Sequence, residues 1–249
     1  MSHILVTNDD GVDAPGILAL ARAMRQFGTV EVAAPARNQS ASGHKKTLFQ
    51  DIRISRKTID GDIPALAVDG SPADCIAIAA LGMCKWPPRL VVSGINRGEN
   101  MGQDLTYSGT VTAALEATIN GVPGVAVSLS NTSANHPDDY AEAARIAAIV
   151  VSRVIEYGLP PLTILSVNVP AGQVKGLRIT RQGLRVYNDE VEQKGDIVRI
   201  VGEPPSGRTD VAGTDLWALH QGFASVTPVH LDMTAYHFMA DLNAWDMET

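Results

Sequence analysis

Three polar clusters follow three apolar runs in this chain: Asn8-Asp9-Asp10 after ILVT, Ser40-Ala41-Ser42-Gly43 after VEVAAP, and Ser93-Gly94-Ile95-Asn96 after RLVV. Adjacent carboxylates repel unless a cation or a proton lies between them. At a strand-to-loop turn Asp9 and Asp10 can both face one cation. Ser40 and Asn96 add a hydroxyl and an amide oxygen, which completes an all-oxygen donor set with places left for water and substrate. Such a set suits Mg²⁺ or Mn²⁺. Zinc fits less well, because the six histidines are scattered and no Cys or His pair has zinc-ligand spacing. Taken alone, Asn-Asp-Asp-Gly is also an ordinary solvated turn. The other two clusters are what favour a cation site. His44, beside the Ser40 loop, is the one histidine near the set, either at the site or in a plain surface or hydrogen-bonding role.

Two features point to phosphate. Ser108-Gly109-Thr110 immediately precedes a segment of helical period, so backbone amides and two hydroxyls there can face an anion at the positive end of a helix. Simple N-capping by Ser108 or Thr110 accounts for the same residues. The run SGINRGENMGQD is also longer than the usual connector of about 2–6 residues.

These clusters need elements that bring them together. The first half alternates short β-branched runs with helical periods, the pattern of a parallel α/β sheet whose post-strand loops share one edge. Residues 4–7 and 30–34 read as strands, and 47–55 with 65–68 as further extended chain. A helix begins near Pro15, with Ile17, Leu20, Ala21 and Met24 on one face. Ser71-Pro72-Ala73-Asp74 has the form of a capping box, opening a helix through Met83. Residues 90–92 and 125–129 read as strands buried on both faces. Val111, Ala114, Leu115 and Thr118 mark the helix between them, and a helix over 138–157 and a strand over 162–168 complete the alternation. Beyond Pro170 the character changes. Residues 177–215 are more charged and include alternating IVRIV, the pattern of a hairpin arm, followed by a late strand at 226–229. The tail from Asp232 carries Met233, Phe238, Leu242 and Trp245, as a packed helix or an element that docks on another subunit. The expected fold is therefore α/β: a single domain with a core over 1–176 and 216–231, an arm over 177–215 and a tail over 232–249.

A chain of 249 residues, 45% hydrophobic and 19% charged, is long enough to bury a sizeable core. With 20 basic against 27 acidic residues the net charge is −7, so no broad positive face is expected and polymeric nucleic acid is excluded as the main partner. Small phosphate esters remain compatible, since a bound cation supplies local positive charge. The N-terminal stretch lacks the basic and long apolar regions of a signal peptide, and no apolar run approaches the roughly 20 residues of a membrane span. A soluble cytoplasmic protein with no membrane partner is expected. Cys75 and Cys84 read as core residues rather than redox or metal groups.

Together VTNDDGVDAPGI, SASGH, SGINRGENMGQDLTYSGTVTAALE and the later NVP and TRQG strings resemble the survival protein E (SurE) family of metal-dependent nucleotidases over most of the chain. The resemblance implies a Rossmann-like three-layer core and an arm or tail that builds a homodimer or homotetramer. It implies one Mg²⁺ or Mn²⁺ per subunit on Asp9, Asp10, Ser40 and Asn96, with Asp9, Asp10 and Asn96 as the catalytic set. Asn8, Gly43, His44, Ser108, Gly109 and Thr110 would face the substrate. The activity implied is hydrolysis of nucleoside 5′- and 3′-monophosphates, extending to short polyphosphate in some members. Ala36, where many relatives carry an acidic residue, and the 183–215 arm depart from the family pattern. In-line attack by water, oriented or deprotonated by Asp9 or Asp10, and a covalent aspartyl-phosphate both fit this set. A general phosphatase is a close alternative. A receiver-like Mg²⁺-binding module fits worse, because it is about half this length and needs an aspartate where SGIN stands. A dinucleotide oxidoreductase lacks its G-x-G-x-x-G turn after the first strand.

Overall fold

A computed structural model describes residues 2–245. Its strands are β1 (His3–Thr7), β2 (Thr29–Pro35), β3 (Ile54–Ile59), β4 (Ile63–Val68), β5 (Leu90–Arg97), β6 (Gly124–Ser130), β7 (Thr163–Pro170), β8 (Leu177–Ile179), β9 (Arg185–Lys194), β10 (Ile197–Gly207) and β11 (Ala224–His230). Its helices are α1 (Pro15–Met24), α2 (Pro72–Ile78), α3 (Gly109–Ile119), α4 (Ala141–Tyr157), α5 (Asp215–His220) and α6 (Tyr236–Asn243).

Nine strands form one sheet in the order β3-β4-β2-β1-β5-β6-β7-β11-β8. The stretch β4-β2-β1-β5-β6-β7 is parallel throughout and reproduces the doubly wound order of dinucleotide-binding folds. β3 and β11 pair antiparallel to β4 and β7. Every residue of β1 is buried, and so are the first six of β5 and of β6, because helices cover both faces of the sheet. On one face Ile17 and Leu20 of α1 pack with Ile146 and Val150 of α4 against Val6, Val92 and Val127. On the other, Cys75 and Ile76 of α2 and Ala113 and Ala117 of α3 pack against Leu5 and Val91. This is the three-layer core expected.

Local chemistry explains most boundaries. Pro15 opens α1. At α2 the Asp74 amide donates to Ser71 Oγ at 3.1 Å and the Ser71 amide to Asp74 Oδ2 at 2.9 Å, the reciprocal capping box. The helix expected over 138–157 is preceded by a 3₁₀ turn, Pro137–Tyr140, with regular α-helix only from Ala141.

Four departures have identifiable causes. Residues 47–53 form no strand. Thr47 donates its amide and hydroxyl to Asp74, at 2.7 and 2.8 Å, so the segment is tied to α2 instead of a ladder. The helix expected through Met83 stops at Ile78 and runs into a π-turn in which Gly82 takes φ 101°. Cys75 and Cys84 are both buried and unbridged, and burial pushes the Cys84 thiol up to about 12. Residues 177–179, expected in the arm, instead extend the main sheet as β8, and the hairpin proper is β9 and β10. Helix α5, where only core chain was expected, is capped by Thr214 Oγ1, which accepts from the Trp217 amide at 3.2 Å.

The hairpin is solvent-exposed along nearly its whole length and carries exposed Val191, Ile197, Val198 and Ile200. α6 buries no residue, and its Phe238 meets Trp245, just past its end, edge to face with centroids 5.7 Å apart. The last four residues of the expected tail, 246–249, lie outside the described residues.

Candidate active site

From β1 the chain goes to β2 on one side, while β5 lies on the other, so the loops after β1 and β5 diverge and leave a crevice at their carboxyl ends. Asp9 and Asp10 follow β1, Asn96 and Arg97 end β5, and the Ser40 loop follows β2. The first two polar clusters thus emerge on one edge, whereas in the third, expected to follow a strand over 90–92, Ser93, Gly94 and Ile95 are buried inside the longer β5 and only Asn96 stands at its end.

Asp9 is enclosed, with 3% of its surface exposed. Its Oδ1 accepts from the Thr110 hydroxyl at 2.6 Å and its Oδ2 from the Thr110 amide at 3.2 Å. Gly109 makes this approach possible, since a Cβ there would lie 2.8 Å from Asp9 Cβ and 2.9 Å from Pro72 Cγ. The carboxylate therefore sits at the positive end of α3. Burial pushes it up to about 6; the Thr110 hydrogen bond pulls the other way and the Asp10 charge adds to the rise. Asp10 is half-buried: its Oδ2 accepts from the Arg97 amide at 3.1 Å and its Oδ1 from Asn38 Nδ2 at 3.3 Å. Burial raises it as well, against the Arg97 amide and charge.

Asn96 follows an irregularity in β5, where the register against β6 shifts between Ser93 and Asn96. Gly94 allows it, at φ 138° and with the Val127 carbonyl oxygen 2.3 Å from where a Cβ would stand. Asn96 donates from Nδ2 to the Gly98 carbonyl at 2.9 Å, and its Oδ1 has no donor among the described residues. Ser40 is exposed and its hydroxyl is likewise unbonded among them. Its loop is fixed by the Gln39 amide on the Asp9 carbonyl at 2.7 Å and by the Ser40 amide on Asn38 Oδ1 at 2.8 Å. Asn38 thus bridges the Ser40 loop to Asp10, a role signalled only by an Asn two residues ahead of the Ser. Among the described residues no three His, Cys, Asp or Glu side chains are grouped so that they could hold a metal ion by themselves. A cation here would rely on two carboxylates and neutral oxygens.

Several expected substrate contacts are engaged elsewhere. Asn8 is fully buried, and both polar atoms of its side chain bond the Gly11 backbone, at 2.9 and 3.2 Å, so it shapes the turn rather than meeting a ligand. Ser108 Oγ accepts from the Val111 amide at 3.1 Å as a plain N-cap, and Thr110 is committed to Asp9. Of the turn expected to face phosphate, the Gly109 amide alone has no acceptor among the described residues. Gly43 donates its amide to the Tyr107 carbonyl at 3.0 Å and accepts from Thr112 Oγ1 at 2.9 Å, pinning the second loop to α3. His44 Nε2 lies 3.1 Å from Glu116 Oε2, and Lys46 donates to Glu116 Oε1 at 2.9 Å, so His44 takes its hydrogen-bonding role. Burial alone would raise the Glu116 carboxyl, but the bonds from His44, Lys46 and Asn120 and the Lys46 charge bring it below its usual range.

The long loop between β5 and α3 is anchored at each step. The Asn100 amide donates to Asn168 Oδ1 at 2.8 Å, and Asn168 Nδ2 returns a bond to the Asn100 carbonyl at 2.9 Å. The Gly102 amide donates to the buried Asp215 Oδ2 at 2.9 Å. At the root of the hairpin Arg185 bonds Asp104 at 2.7 Å and Glu99 at 3.3 Å.

Residues 4–189 match the protein family described as Survival protein SurE. The chain is 47% identical over 257 aligned residues to 5′-nucleotidase SurE of Syntrophotalea carbinolica, covering 98% of this chain and 97% of the relative. It is 45% identical to 5′-nucleotidase SurE 1 of Thermus thermophilus, covering 97% and 96%. The crystal structure of the SurE protein from Aquifex aeolicus superposes with a TM-score of 0.83 at 38% identity, covering 98% of this chain and 99% of that one.

Proposed function

Since the chain belongs to the SurE family, we propose that it is a divalent-metal-dependent phosphomonoesterase that releases phosphate from nucleoside monophosphates. Asp9 carries the reading. It is an enclosed carboxylate next to a second one, and neither is ion-paired to a Lys, Arg or His among the described residues. A cation would remove that uncompensated charge. The free Oδ1 of Asn96 and hydroxyl of Ser40 complete a hard-oxygen set with Asp9 and Asp10, which fits Mg²⁺ or Mn²⁺. When bound, the ion supplies positive charge to a phosphoryl oxygen and acidifies water.

The residues divide the remaining work. Thr110 and the α3 terminus hold Asp9 in one orientation, so Asp9 anchors the ion. Asp10 is less enclosed and lines an open cleft, which makes it the base that orients the attacking water. The Gly109 amide is left to meet charge developing on the phosphoryl group. The relatives' printed names support the 5′-nucleotide as substrate. Activity on 3′-nucleotides and short polyphosphate belongs to the same reading through the family. A homodimer or homotetramer is supported by the exposed apolar arm and tail, and a cytoplasmic setting by two unbridged cysteines. No described helix is long and apolar enough to cross a membrane.

The test is phosphate release from AMP, a 3′-nucleotide and ribose 5-phosphate, each with Mn²⁺, Mg²⁺ or chelator. Metal-dependent release from AMP is expected. Release untouched by chelator, or none from AMP, refutes the assignment, and equal rates on all three substrates leave a general phosphatase. Labelled phosphate trapped on the protein would overturn attack by water.

A further inference from the structure

A cleft of about 330 Å³ opens beside Asp10, between the end of β5 and the segment 134–140. Its volume stands at the small end of ligand pockets, about 300–1,000 Å³, enough for one base with part of its sugar. Ala14 and Pro15 give it apolar surface, and Arg97, Asn135 and Asp10 give it polar groups.

Arg97 is held here by its backbone, whose amide donates to Asp10 Oδ2 at 3.1 Å. Its exposed guanidinium makes no hydrogen bond or ion pair among the described residues; the same holds for Arg53, Arg181 and Arg199, but of these Arg97 is the one that lines the cleft. The side-chain amide of Asn135 is also without a partner among them. Asn38, in contrast, is fully engaged between Asp10 and the Ser40 loop. A flat, delocalised cation stacks on heteroaromatic rings. A free amide offers both a donor and an acceptor to a ring edge, and apolar walls favour a ring over a bare phosphate. Asp10 itself lines the cleft, so a ligand held there stands next to the proposed chemistry.

We propose that this cleft is the nucleobase subsite, with Arg97 stacking on the base and Asn135 meeting its polar edge. The inference rests on the nucleotidase reading and goes further by assigning residues to base selection.

The test compares kcat/KM for AMP with that for ribose 5-phosphate, which lacks the base, in the wild type and in Arg97→Ala, Arg97→Lys and Asn135→Ala. In both Arg97 variants the preference for AMP should fall about tenfold, chiefly through KM, because uniform binding is lost rather than transition-state contact. Lysine should not restore it, since the ammonium keeps the charge but loses the plane. Asn135→Ala should show a smaller fall in the same direction. An unchanged ratio, a wild-type ratio near one, or parallel losses on both substrates with rescue by lysine would each overturn the subsite; the last would show Arg97 gripping the phosphoryl group. A wild type inert toward AMP refutes the nucleotidase reading and the subsite together, whereas AMP turnover with an unchanged ratio removes the subsite alone.

Discussion

Asp9→Asn separates the electrostatics of the site from its chemistry. Burial lifts the Asp9 carboxyl from 3.8 to about 6, and a raised carboxyl pKa means that the folded state holds its proton more tightly than the unfolded chain. The associated stability is complete below about pH 4 and is lost as pH rises through 6. At about 1.4 kcal/mol per unit, a shift of roughly two units makes the ionised group cost about 3 kcal/mol at pH 8. Asparagine removes the charge yet can keep both contacts, accepting from the Thr110 amide and donating to its hydroxyl. In chelator at pH 8 the variant should therefore be about 2–3 kcal/mol more stable than the wild type, or about 4–12 °C in Tm at about 2–4 °C per kcal/mol. The gap should close toward pH 4. Mn²⁺ at a thousandfold excess over Kd should reverse the order, because an ion bound only by the folded wild type then adds about 4.1 kcal/mol. Urea unfolding with and without Mn²⁺ reads all three conditions. A variant no more stable than the wild type at pH 8 in chelator, or a gap equal at pH 8 and pH 4, refutes the claim that Asp9 is an uncompensated buried charge.

Gly109→Ala should cost about 1–3 kcal/mol by overpacking, since its Cβ meets Asp9 and Pro72 below 3 Å. Displacement of Asp9 should also lower kcat by at least tenfold in protein that is still folded, measured by AMP turnover alongside circular dichroism. Glu116→Gln tests the tie between the second loop and α3. The wild-type carboxyl lies below its usual range, so its stabilisation is present at neutral pH and lost as pH falls through its folded value. The variant should be less stable than the wild type at pH 7, and the difference should shrink in acid; thermal melts across pH 3–7 that run parallel would rule the tie out.

How far the sequence could be read depended on the range of the interaction. Helix and strand identities in the core came from local rules: Ile4, Leu5 and Val6 are apolar in succession because β1 is covered on both faces, and Ser71, Pro72 and Asp74 carry their own capping geometry within four residues. The positions of Asp9, Asp10, Ser40 and Asn96 at strand ends were legible for the same reason, since alternating periods imply a parallel sheet and such a sheet gathers its loops on one edge. What each side chain bonds to was not legible. Thr110 reads equally well as a phosphate contact, a cap or a partner for Asp9, and only the packing of α3 against β1 chooses the last. His44 meets Glu116 from 72 positions away, and nothing near either residue signals the pair. Asn38 and Arg97 are not legible as site residues, because their importance lies in standing beside Asp10. Strand β8 is three residues long and owes its place to pairing with β11. The chain by itself determined which elements form and which chemical groups reach the crevice, because periodicity and caps act over a few residues. Tertiary structure decided which groups are enclosed, which are already engaged and which remain free, because burial and hydrogen bonding are settled between segments that meet only when the sheet is complete.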